Sequence, residues 1–150
     1  MEVGSAGPLP EMVTAAQGLG IDLSAHRADR IVAGELAQAD LVIGFEPFHI
    51  AAAVVEGGAP RDRAFTLAEI VELLSPLPLA ERAGLRDRVA LGVSTADGRR
   101  RGRPVLSAAA IPDPFGSSPA DFVATAMRID RLVGELADVL FVQPNMLAIG

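Results

Sequence analysis

The chain predicts an α/β fold, with a mainly parallel sheet flanked by helices, and three observations carry that reading. Short apolar runs suited to strands alternate with longer segments of helical periodicity. Leu41-Val42-Ile43-Gly44 is continuously apolar, the pattern of a strand covered on both faces. No internal linker is long enough to divide the 150 residues, so one domain is expected over 1–150.

Taken in order, residues 2–6 read as a short strand stopped by Gly7-Pro8. Residues 10–17 read as a helix, with Pro10 at its start and Gly18 and Gly20 at its stop. A second short helix is expected over 29–36, followed by the strand at 41–44. Pro47 restarts a helix that runs to Val55 and ends at Gly57-Gly58. Residues 64–66 make a minimal strand, and Thr66 with Glu69 has capping-box spacing for a helix carrying Ile70, Leu73 and Leu74. Residues 79–91 show amphipathic spacing, and the arginine-rich stretch 99–104 reads as a polar linker. The last long helix spans 119 to about 141, with Phe122, Met127, Ile129, Val133, Leu136 and Leu140 as its apolar stripe. The tail 143–150, with Pro and Gly, is expected to fray.

Composition narrows the function classes. Half the residues are apolar and 21% are charged, which is a folding composition. A net charge of -6 argues against a general nucleic-acid binder, which needs a basic face. The chain has no cysteine, so it holds neither a disulfide framework nor a thiolate metal site. No apolar run reaches the about 18 residues of a membrane span, and the opening residues lack a signal-peptide pattern. A cytoplasmic location without membrane contact is therefore expected.

A few residues stand out chemically. Asp113 lies between Pro112 and Pro114, which stiffen the backbone around it. A carboxylic acid on a rigid loop suits proton donation to a leaving oxygen, although Asp-Pro and Pro-Phe-Gly are also ordinary turn chemistry. His26, before Arg27, reads locally as a packed or capping histidine at a helix start, and Ser5 as a small polar residue at a strand end. His49 is assigned to surface or core and not to a ligand set. The two histidines lack paired metal spacing, so no metal and no cofactor is expected. Arg99, Arg100, Arg101 and Arg103 read as a solvated run. Nucleophile-elbow, phosphate-loop and dinucleotide fingerprints are all missing.

Read together, Ser5-Ala6-Gly7, Leu23-Ser24-Ala25-His26-Arg27, the strand segment Ala39-Asp40-Leu41-Val42-Ile43-Gly44-Phe45 and Ile111-Pro112-Asp113-Pro114-Phe115-Gly116 are informative. In that order they resemble the low-molecular-weight protein-tyrosine phosphatases, over about residues 3–140. The resemblance implies a doubly wound parallel sheet flanked by helices. It implies Asp113 as the general acid that protonates the departing phenolate oxygen, on a loop completed by Pro114 and Phe115. Ser5 and His26 match the family positions that hydrogen-bond toward the phosphate loop. Phe115 keeps the aromatic ring where the family often has tyrosine, and Phe45 stands where it usually has methionine.

The family nucleophile is a cysteine in a C-x-x-x-x-x-R loop near the N-terminus. The resemblance places that loop, with a strand and a helix of on the order of 30 residues, ahead of Met1. These 150 residues contain no nucleophile of that kind and are expected to be inactive on their own. Without the missing strand, apolar sheet edges would be open to pairing with another chain, including a second copy. Three readings follow. The first is a phosphatase acting on phosphotyrosine proteins once its thiol-bearing front is present. The second is a pseudo-phosphatase serving as a regulatory or protein-binding module. The third is an arsenate-reductase relative, disfavoured because that chemistry needs further cysteines.

Overall fold

The computed structural model describes residues 7–75, 84–101 and 110–141. The expected strand at 2–6 with Ser5, the start of the 79–91 helix, residues 102–104 and the 143–150 tail lie outside them. The described chain is α/β, with five helices and a small parallel sheet of two strands.

Helix α1, Pro10–Gln17, starts on its proline and is followed by Gly20 at φ 77°. Strand β1, Val42–Gly44, leads through helix α2, Pro47–Val55, into strand β2, Ala64–Thr66. The two strands pair in parallel, Val42 with Ala64, Ile43 with Phe65 and Gly44 with Thr66. This β1–α2–β2 unit is the crossover that parallel pairing requires. Helix α3, Leu67–Leu74, follows β2 directly; α4 is Leu85–Arg100 and α5 is Pro119–Leu140.

Successive residues of β2 point to opposite sides, and helices pack over both of its faces. Phe65 enters the main core with Leu67, Ile70, Leu73, Leu74, Leu136 and Leu140. Its neighbour Ala64 joins Ile50, Ala53 and Ala59 on the other face, under α2. A third cluster, Ala15 with Phe122 and Ala126, packs α1 on α5. The two strands differ in cover: β2 is wholly buried, whereas Ile43 at the centre of β1 is 42% exposed. The continuous apolar run at 41–44 therefore does not correspond to a strand covered on both faces within the described fold.

Thr66 caps α3 as its spacing to Glu69 implies. The Glu69 amide donates to the Thr66 hydroxyl at 3.2 Å, and the Thr66 amide donates to the Glu69 carboxylate at 3.4 Å. Thr66→Ala is expected to cost about 1 kcal/mol through the lost cap, while Thr66→Ser retains most of it. Urea denaturation midpoints at unchanged slope measure both; equal midpoints for Ala and wild type would show that the cap contributes nothing.

Three local expectations are corrected. Residues 29–32 are not helical; a short 3₁₀ turn, Glu35–Gln38, forms instead after Gly34 at φ 78°, a left-handed conformation that interrupts the helical path. The 99–104 linker is not wholly a linker, since Arg99 and Arg100 form the last turn of α4. Arg99 Nη1 donates to the Leu73 carbonyl at 2.7 Å. Arg100 donates to the Ala64 and Arg61 carbonyls at 2.9 Å each and lies 4.2 Å from the Phe65 ring centre. On α5, Met127 and Val133 are exposed, and Ala126 and Leu132 take their places in the buried stripe.

Candidate functional site

The Pro-Asp-Pro loop is fixed to the fold at both ends. Ile111 is buried in the main core, and its amide donates to the Phe45 carbonyl at 2.9 Å, just past the C-terminal end of β1. One residue earlier, the Ala110 carbonyl accepts from Arg128 Nη1 on α5 at 3.2 Å. Downstream, the Ser117 amide donates to the Pro114 carbonyl at 2.9 Å, across a turn holding Gly116 at φ 78°. A left-handed residue there favours glycine, because a β-carbon would clash with the backbone.

The loop then feeds α5 through a second capping box. Ser118 Oγ donates to the Asp121 carboxylate at 2.7 Å, and the Ser118 amide does so at 2.9 Å. The Ser118 hydroxyl and amide hold the Asp121 carboxyl below the usual carboxylate range.

Asp113 stands on this anchored loop, exposed to solvent. Its Oδ1 accepts from the Phe115 amide at 3.0 Å, an Asx turn that orients the carboxyl group on its own loop. Phe115 projects beside it and is 72% exposed. Carboxyl group, aromatic ring and flanking prolines thus share one rigid surface feature at the C-terminal end of a parallel strand. In open α/β sheets, ligand sites form at that end.

His26 lies in a turn and not at a helix start. Its amide donates to the Leu23 carbonyl at 3.0 Å, and Arg27 Nη1 donates back to the Ser24 and His26 carbonyls. The Ser24 amide donates to Asp22 Oδ1 at 2.9 Å, and that bond holds the Asp22 carboxyl below its ordinary value. His26 and Phe45 both line an apolar cavity of about 490 Å³ between α1 and α5, with Met12, Leu19 and Val133. Asp113 does not line it, but Phe45 links the two: its surroundings include the cavity, and its carbonyl holds the Asp113 loop. Ser5 is not among the described residues.

His49 was legible only as a histidine on a helix, yet it is closely built into this corner. It is half-buried at the third position of α2, and its Nδ1 accepts from the Phe45 amide at 3.3 Å and the Glu46 amide at 3.1 Å. Arg128 is the other residue that sequence reasoning missed, since nothing in its local pattern marks an arginine that clamps a carbonyl 18 residues upstream.

A second cavity of about 490 Å³ lies beside α4, where Asp40, Asp62, Arg63, Asp97 and Arg101 share the wall with apolar residues such as Val93. Burial pushes the Asp97 carboxyl up. Hydrogen bonds from Arg100 at 2.8 Å and Arg101 at 2.6 Å, with their charges, pull it further down, so it sits below its ordinary value. Within the wall, Asp97 is paired with Arg101, and Arg63 donates to the Ala39 carbonyl at 3.3 Å. Among the described residues, no group of three His, Asp or Glu side chains could hold a metal ion, and no helix is long and apolar enough to cross a membrane. No family model, no curated protein and no solved structure matches this chain.

Proposed function

We propose that these residues form the acid-bearing part of a phosphomonoesterase site of the low-molecular-weight protein-tyrosine-phosphatase type. The observation that carries the reading is the amide of Ile111 bound to the carbonyl of Phe45. It fixes the Asp113 loop at the C-terminal end of a parallel strand, where an α/β sheet presents its ligands. The order of the Ser-Ala-Gly, His-Arg and Asp-Pro-Phe segments along the chain supports the same reading. The doubly wound sheet implied by the resemblance is part of this proposal.

In the proposed reaction, a cysteine thiolate attacks the phosphorus of a phosphotyrosine protein and the aryl oxygen leaves. Asp113 gives its proton to that oxygen, so the leaving group departs as a neutral phenol. The exposed ring of Phe115 offers the departing ring an apolar neighbour. None of the 150 residues is a cysteine, so the thiolate has to come from outside them. His26 and Ser5 then act as groups that hold the phosphate-binding loop in shape.

A second reading is favoured by a specific surface. Ile43, Phe45 and Phe48 are 42%, 40% and 61% exposed around the end of β1. A module without a nucleophile could use such a patch to pair with another chain.

The intact mass of the protein isolated from its native cells separates the two. The phosphatase reading expects a mass several kilodaltons above the chain's 15.5 kDa, with one alkylatable thiol. A mass equal to the chain, with no alkylation, would remove the catalytic reading and leave the binding module.

A further inference from the structure

We infer that His49 is a positioning residue for the Asp113 loop, acting through Phe45, and that it holds the loop only while its imidazole is neutral. The inference rests on a chain of hydrogen bonds and goes beyond the phosphatase reading, which assigns His49 nothing.

Phe45 is gripped at both of its backbone polar groups. Its amide donates to His49 Nδ1 at 3.3 Å, and its carbonyl accepts from the Ile111 amide at 2.9 Å. The Glu46 amide donates to the same Nδ1 at 3.1 Å, and the His49 amide donates back to the Glu46 backbone carbonyl at 3.0 Å. Histidine here takes the place that glutamate or glutamine ordinarily fills in a capping box. The ring is also confined by packing. A β-carbon at residue 44 would lie 2.7 Å from the His49 β-carbon, so Gly44 is what lets the histidine close on the strand end. Phe48 packs against the imidazole with ring centres 4.1 Å apart.

A nitrogen that accepts two N–H bonds must carry its lone pair, so the ring is the neutral tautomer with its proton on Nε2. Protonation puts a hydrogen on Nδ1, and two backbone donors then face a third donor. The imidazolium would also sit at the positive end of the α2 dipole. Carboxylates on the connected segments are Glu46, which caps α2, and Asp113 on the loop. The strands that α2 packs against, Val42–Gly44 and Ala64–Thr66, hold no titratable side chain. Acidification therefore frees the Phe45 amide, and the Ile111 anchor loosens with it.

Nuclear magnetic resonance on the 150-residue chain tests this without any catalysed reaction. The imidazole nitrogen shifts at about pH 8 should report the Nε2–H tautomer. Protection of the Ile111 amide from hydrogen exchange should fall about tenfold toward pH 5, with the midpoint of the His49 ring titration. His49→Gln, which can cap but cannot titrate, should keep that protection at both pH values. His49→Ala should lose it at both. An Nδ1–H tautomer, or Ile111 protection indifferent to the ring titration, would overturn the inference. Should the alanine variant fail to fold, the wild-type titration and the glutamine variant still decide it.

Discussion

Phe65→Ala is expected to destabilise the fold by about 3–5 kcal/mol, the range for deleting a fully buried aromatic ring. Phe65 is 0% exposed at the centre of β2, and its ring is surrounded by the main core. The substitution leaves a cavity among the buried side chains that surround the ring. It also removes the ring beneath the Arg100 guanidinium, 4.2 Å away, a contact worth about 0.5–2 kcal/mol by itself. Arg100 would then be held by the Ala64 and Arg61 carbonyls and by the Asp97 and Glu69 carboxylates. Against a typical domain stability of about 5–15 kcal/mol, a loss of this size unfolds a marginal protein at physiological temperature. Urea denaturation followed by far-ultraviolet circular dichroism gives the number, and Phe65→Leu should fall between wild type and alanine. A loss below about 1 kcal/mol would mean that the ring is not the centre of the core.

Much of this architecture is written locally. Pro10, Pro47 and Pro119 each stand at the first turn of a helix, where a missing amide costs nothing. Thr66 and Glu69 announce α3 through side chains three residues apart, and β2 ends where that cap begins. What remained hidden depends on partners remote in sequence. Arg99 and Arg100 look like loop residues until the carbonyls of Leu73, Ala64 and Arg61 are brought beside them. The buried stripe of α5 was displaced because Ala126 contributes little hydrophobicity to a pattern yet fits closely against α1. The same division holds at the site. Pro112-Asp113-Pro114 marks a stiff loop by composition alone. Nothing local says that Ile111 will bind Phe45, or that His49 will brace Phe45 from the other side.

On the proposed reaction, Asp113→Asn in the thiol-bearing form of the protein should lower kcat for phenyl phosphate by about 10²–10⁴-fold, the usual contribution of a placed general acid. Asparagine can keep the Asx turn to the Phe115 amide through its side-chain oxygen, so the loop stays in place while the proton is lost. The loss should shrink for aryl phosphates whose leaving groups need less protonation, because a stable phenolate departs unaided. Binding should change little, because the proton is needed in the transition state and not in the ground-state complex. A uniform loss across good and poor leaving groups would point to a displaced loop and not to a missing acid. An unchanged kcat with every substrate would take Asp113 out of the chemistry and return the loop to ordinary turn structure.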